Sequence, residues 1–399
     1  MKKLIAISVV FALVAGVAFA VDVSGTVFGH VNVLQGDTGD DSKVTAGGGM
    51  DRTRIDGSGE TGDGDFGGYI RAQAFTDFTI DSAYAWWKPL DQFKLIIGGF
   101  SDAFWGKEGV TGWMFNQMPY DSSVAINPGI WCGPYWGSSV FLPGGGGEGW
   151  NAPMHNRYVF FEGFQYYGAA LEITPADIAT INIGIPFIDT PRGEEAADVF
   201  KAAVAQVSLN LDFGNIAITY DGSNRAGMKA GDSGAIFVYF GGSFGDLNLD
   251  VGLSYHLASK NDEKPKWGTS DESLPIGVGV GLKYATDSFG VKFRTTAALA
   301  GSDKGACGDA TYINASVLPF FILGDNLAAF VNVGLGMQMG DIIKAKLGED
   351  SIMGWYFNPY LRVGAEWGPT FYAGIQASSQ GGKDAVINWA VPISLMVSF

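Results

Sequence analysis

The last eleven residues, 389–399, read WAVPISLMVSF. Trp389, Val391, Ile393, Leu395, Val397 and Phe399 are apolar and sit two apart. Ser394 and Ser398 share the other parity with Ala390, Pro392 and Met396. Successive side chains of a strand point to opposite faces, so this stretch is a strand with one greasy face and one mixed face. Pro392 removes a ladder donor, which places it at a bulge or beside a bonding gap. Two environments suit such a strand: the edge of a soluble sandwich, or a wall whose apolar face meets lipid.

The same period-two pattern recurs along the whole chain, and no helical period of 3.6 persists over a useful length. Strands are expected at 23–33, 46–56, 66–75, 84–88 and 93–100, with a Gly/Asp turn over 57–65. They resume at 157–174, 178–188, 201–213, 215–221, 233–244 and 247–256. The set closes with 274–285, 290–300, 311–323, 327–339, 355–367, 370–378 and 385–399. Short links such as Gly245-Asp246 and Gly324-Asp325-Asn326 contrast with longer acidic ones at 189–198, 259–273 and 340–351. Between the fifth and sixth strands, 101–156 breaks the rhythm and holds Trp105, Trp113, Trp131, Trp136 and Trp150. An irregular segment that long inside a compact domain is usually functional or disordered, and its aromatics argue against disorder.

Facing separates the two environments. Leu247, Leu249, Val251, Leu253 and Tyr255 alternate with Asn248, Asp250, Gly252, Ser254 and His256. Ile276, Val278, Val280, Leu282 and Tyr284 alternate with glycines and Lys283, and Leu327 to Met337 repeats the pattern. The outward face of a soluble sandwich is usually rich in Lys and Glu; here the polar face is mostly Gly, Ser, Asn and Thr. Trp86, Trp87, Phe93, Trp355, Tyr356, Tyr360, Trp367, Phe371 and Tyr372 gather near strand ends, as aromatics do at the two interfaces of a bilayer.

Composition agrees. Of 399 residues 59 are Gly, aromatics make up 14% and charged residues only 17%. The formal charge of −16 argues against nucleic-acid binding. Lys2 and Lys3, an apolar run and Ala18-Phe19-Ala20 form a secretory leader, so residues 1–20 are expected to be removed and 21–399 to form a single barrel domain. Loss of the two lysines takes the formal charge from −16 to about −18. No later stretch supplies the roughly twenty apolar residues of a spanning helix.

A leader, a strand with a lipid-type face and a terminal aromatic together resemble the bacterial outer-membrane porins, and Gly, Trp and acidic loops resemble spirochaete-type porins more narrowly. The resemblance implies an all-β fold: a single transmembrane antiparallel up-and-down β-barrel of about 16–18 strands, with a long loop after the fifth. It also implies outer-membrane lipid as surroundings and recognition by the barrel-assembly machinery through the strand ending at Phe399. A homotrimer, and passive diffusion of small hydrophilic solutes and ions, follow from the same likeness. The alternatives are a plugged barrel serving as an adhesin or structural surface protein, and a transporter of hydrophobic compounds.

The candidate pore-lining residues are Arg52, Arg54, Arg71, Lys94, Lys283, Lys292, Arg294 and Arg362, all on polar faces. In a wet lumen they would form a positive field along one wall, with Asp212, Asp250, Glu172 and Glu366 as partners; the bland alternative is bracing ion pairs. The long loop offers a constriction through Trp105, Glu108, Trp113, Asp121, Trp131 and Trp136, against a loop core that packs on itself. Cys132 and Cys307 permit one disulfide. The acidic turns around Asp56, Glu60, Asp63 and Asp65, or Asp37, Asp40 and Asp41, lack an ordered calcium-loop spacing and read as solvated turns. His30, His155 and His256 lie far apart, no nucleophile elbow or zinc spacing occurs, and neither enzyme activity, cofactor nor metal is expected.

Overall fold

The computed structural model describes residues 20–39, 43–74, 78–99, 167–186, 203–222, 233–258, 276–299, 311–339, 349–364, 369–379 and 385–398. Among them lie β1 (Ala20–Asp37), β2 (Thr45–Glu60), β3 (Phe66–Ala74), β4 (Phe78–Leu90), β5 (Phe93–Gly99), β6 (Tyr167–Ala176) and β7 (Ala179–Pro186). They continue as β8 (Val204–Leu211), β9 (Gly214–Asp221), β10 (Ser233–Phe244), β11 (Leu247–Ala258), β12 (Ile276–Ala285) and β13 (Phe289–Leu299). The ring is completed by β14 (Thr311–Gly324), β15 (Leu327–Met339), β16 (Ser351–Gly364), β17 (Thr370–Gly374), β18 (Gln376–Ser379) and β19 (Ile387–Ser398). Neighbours in sequence pair antiparallel, and β1 pairs with β19, so the sheet closes on itself and leaves no edge.

Nineteen segments make eighteen staves, because β17 and β18 both lie between β16 and β19. The gap between them is Ile375, opposite Pro359. Ile375 donates its N–H to the Pro359 carbonyl (3.0 Å), but proline has no N–H to return. The Asn358 side-chain amide donates to the Ile375 carbonyl at 3.0 Å instead. Pro392 behaves as its chemistry requires: it faces Asn32 at the point where the β1–β19 register slips.

The first hairpins are longer than the sequence pattern suggests. β2 runs on to Glu60, and the turn shrinks to Thr61–Asp65. There the Asp63 carboxylate accepts from the Thr61 hydroxyl (2.5 Å) and the Asp65 N–H (3.2 Å), bonds that hold it below the usual carboxylate range. β4 likewise extends through Pro89 to Leu90, and only Asp91 and Gln92 turn the chain.

The short turns at 61–65, 91–92, 177–178, 212–213, 245–246, 286–288 and 325–326 all fall at one end of the ring. Both chain ends of the sheet lie at that end too, since Ala20 pairs with Glu60 and Ser398 with Thr26. The residues joining strands at the other end include 100–166, 187–203 and 259–275. One end of tight turns and one of long connections is the asymmetry of outer-membrane barrels.

Burial is inverted relative to a soluble protein. Leu253, Leu335, Ile218, Leu395 and Val397 are exposed, whereas Asn32, Asn182, Gln206, Thr219, Asp250 and Asn332 are buried. In register, Ile218, Val238, Leu253 and Val278 form one apolar row round the outside. From Leu247 to Tyr255 the belt spans eight steps, about 27 Å along the strand and roughly 20 Å along an axis tilted by about 40°. Outward aromatics rim its short-turn edge: Phe66 stacks on Trp87 at 6.2 Å, Phe213 meets Phe240 at 6.4 Å and Tyr284 meets Phe289 at 5.8 Å.

Three residues expected in that rim point the other way. Tyr360 and Tyr372 are buried on the inner face, and Trp86 is half-buried there. Trp86 packs over Gly67, its register partner, and Phe320 over Gly290. A Cβ on Gly290 would sit 2.3 Å from the Phe320 ring and 2.7 Å from the Tyr284 carbonyl. Gly290→Val should therefore lower barrel stability by about 1–3 kcal/mol. Gly67→Val, whose three nearest atoms all belong to the half-buried Trp86 ring and none to the backbone, should cost less. Urea unfolding midpoints in lipid vesicles would rank the two, and a larger loss at Gly67 would contradict this.

Candidate functional site: the inner wall

Inward positions carry the chemistry because lipid claims the other face of every strand. On β2 to β5 they form a charged and aromatic cluster. Arg71 Nε is 2.6 Å from Asp56 Oδ1, and the Tyr69 hydroxyl donates to the same oxygen. The Arg71 guanidinium also lies over the Tyr69 ring at 5.5 Å. Tyr69 meets Tyr84 at 5.1 Å, Tyr84 meets Trp86 at 6.3 Å, and Lys94 Nζ stands 5.1 Å above the Trp86 ring. Lys94 faces Glu172 across the β5–β6 register. Such cation–ring contacts hold the long side chains against the wall and away from the bilayer.

A second basic group sits on β12 and β13. Lys283 and Lys292 are direct register partners, and Arg294 faces Gly281 one rung further. β3 and β12 are nine staves apart in either direction round the ring, hence opposite each other across the lumen. The basic residues thus occupy two opposed walls, not one, a correction to the single positive wall expected from facing alone. Arg362 lies apart from both, 5.3 Å over the Phe330 ring. Arg52 and Arg54 face Phe28 and Thr26 in register on β2.

The acids differ from expectation more than the bases do. Asp56, read as part of a solvated turn, is the partner of Arg71. Its parity with Arg54, on the strand expected over 46–56, is the signal in the sequence that marks it as inward. Asp250 is buried and accepts from the Tyr239 hydroxyl at 2.5 Å. Asp212 is exposed in a two-residue turn. Glu366, the constriction-loop residues Trp105, Glu108, Trp113, Asp121, Trp131 and Trp136, and both Cys132 and Cys307 lie outside the described residues.

Between the charged walls much of the lining is neutral. On β7 to β9, Asn182 donates to Gln206 (3.5 Å), Gln206 to Thr219 (2.9 Å) and Ser208 to Gln206 (3.2 Å). On β14 to β17 an aromatic row stands near the short-turn end. Phe320 and Phe330 stack at 5.7 Å, Phe330 and Tyr360 at 4.8 Å and nearly parallel, and Tyr360 meets Tyr372 at 6.3 Å. Among the described residues no group of His, Cys, Asp or Glu is placed to hold a metal ion, and no helix is long and apolar enough to cross a membrane.

A closed ring of antiparallel strands with a lipid belt outside and a polar lining defines a transmembrane β-barrel of the bacterial outer membrane. Comparison with solved structures places the fold among the porins. The chain superposes on an anion-selective porin from Comamonas acidovorans (TM-score 0.53, 12% identity, 95% of this chain and 99% of that one). It matches Salmonella typhi OmpF similarly (TM-score 0.52, 11% identity, 94% and 97%). Pseudomonas aeruginosa OccK11 follows (TM-score 0.50, 11% identity, 96% and 96%). No family model matches the sequence, and no curated protein matches it. The likeness is one of architecture.

Proposed function

We propose that the protein is a passive, non-catalytic channel through which small hydrophilic solutes and ions diffuse across the outer membrane. The observation that carries this reading is the inverted wall: apolar residues face out, while Asp56, Arg71, Lys94, Lys283 and Lys292 face in. Ionisable groups inside a bilayer belong to water-filled paths or to pairs. The structures it superposes on include an anion-selective porin, which agrees with it. Removal of residues 1–20, insertion through the strand ending at Phe399 by the barrel-assembly machinery, and a homotrimer are parts of the same proposal. So are a narrowing of the lumen by 101–156 and the spirochaete-type kinship. One observation favours a filled barrel instead: inner-wall side chains such as Gln206 and Gln376 are almost wholly covered.

Planar-bilayer conductance of the refolded protein decides between them. Large stable steps in KCl are expected. A folded, heat-modifiable barrel that passes no current would end the channel reading and leave the surface-protein one.

A further inference from the structure

We propose that the inner wall over β12 and β13 binds a multiply charged oxyanion of the phosphate type between the side chains of Lys283 and Lys292. The inference rests on the channel reading only in that ions must reach the lumen. Lys283 and Lys292 are direct register partners on the inward parity. Facing positions of a ladder hold their Cβ atoms about 5 Å apart, and like charges placed there destabilise the sheet. An anion seated between the two ammonium groups turns that repulsion into attraction. Both lysines keep part of their surface open, unlike the covered Gln206 and Gln376, so an ion that enters the barrel can touch them.

The neighbouring positions set the sign and the space. Arg294 follows Lys292 two residues along β13 and faces Gly281. Its backbone therefore lies about 7 Å from Lys292 and roughly 7–8 Å from Lys283 on the diagonal. Lys283, Lys292 and Arg294 occupy three corners of a square of inward positions, and Gly281 leaves the fourth without a side chain. The inward positions of β10 to β14 carry one carboxylate, Asp250, which is buried and accepts from the Tyr239 hydroxyl. One carboxylate against three cations leaves a surplus of two positive charges. The opposite wall is balanced pair by pair, since Arg71 lies 2.6 Å from Asp56 and Lys94 faces Glu172.

That surplus selects the ligand. A divalent oxyanion neutralises it, whereas a chloride ion offsets half. Lysine ammonium groups bind phosphate as point charges with three rotatable donors each. Asn248, the partner of Lys283 on its other side, accepts from the Ser243 hydroxyl at 2.6 Å and so keeps its amide N–H groups for an acceptor.

The test uses the full folded chain in uncharged detergent micelles at low ionic strength, with inorganic phosphate as probe. KCl conductance in a planar bilayer is a separate reading. Phosphate binding by calorimetry or phosphorus NMR should saturate, and chloride at equal ionic strength should compete poorly. Lys292→Gln should weaken it about tenfold. Lys283→Gln should do the same, and it serves where the first variant fails to fold. Lys88→Gln is the control, because it removes the same charge at the same end of the barrel. Lys88 lies 3.6 Å from Asp91 with its side chain 39% exposed, so its loss should change affinity less than about twofold. Phosphate that fails to saturate, or that binds the folded Lys283 and Lys292 variants as tightly as the original, would overturn the proposal. So would an equal loss in Lys88→Gln, which would reduce the effect to the general field of the barrel. Current without phosphate binding rejects the site and keeps the channel. Binding that depends on the two lysines without current rejects the channel and keeps the site.

Discussion

Leu253→Arg is expected to destabilise the folded barrel in lipid by about 1–3 kcal/mol, and Leu247→Arg by about 0–1 kcal/mol. Both leucines are exposed on β11, six residues apart, and both would be harmless sites for arginine on a protein in water. Lipid makes them unequal. Leu253 lies inside the apolar row with Ile218, Val238 and Val278, six steps into the eight-step belt and clear of its short-turn edge. Leu247 begins its strand beside the Gly245-Asp246 turn, where a guanidinium reaches the interface. Urea unfolding in lipid vesicles measures both changes. Equal and small effects would mean that the outer face does not meet lipid.

Asp56→Leu should cost about 2–3 kcal/mol, less than the roughly 3–5 kcal/mol for breaking a fully buried pair. The discount follows from exposure: the Arg71 and Asp56 side chains are 15% and 20% exposed and face the lumen. Two interactions are lost together, because Arg71 Nε and the Tyr69 hydroxyl share Asp56 Oδ1, while the contact of Arg71 with the Tyr69 ring does not involve Asp56. Asp56→Asn keeps the shape and removes the charge, which separates stability from permeation. It adds one net positive charge at that level of the wall, so the reversal potential under a KCl gradient should move toward anion preference. An unmoved potential in Asp56→Asn would place the pair off the ion path and make it a brace.

Most of the architecture was legible in the sequence because barrel formation is a local affair repeated. Period two, tight turns and an apolar parity each involve residues within one hairpin, and the 247–256 and 276–285 segments displayed them plainly. Pro392 was readable for the same reason: a missing N–H is a property of the residue. Strand ends were less so. β2 carries Gly57 and Gly59 into the ladder because β1 and β3 supply partners on both sides, and that support is invisible in the strand's own letters.

The sequence by itself determined which parity of each strand meets lipid, since only an apolar face tolerates hydrocarbon. Tertiary structure decided what the other parity does. Trp86, Tyr360 and Tyr372 resemble interfacial aromatics as letters, but register lays them against Gly67, Phe330 and Arg362 on the inner wall. Closure of eighteen staves put Arg71 and Lys283 on opposite walls, an outcome of counting round the ring that no local pattern encodes. Register again brought Asp56 to Arg71 and Asn358 beside Gln376. Burial of apolar area is non-directional and can be read from composition along a strand. Ion pairs and hydrogen bonds need partners at fixed distances, and distances exist only once the ring is closed.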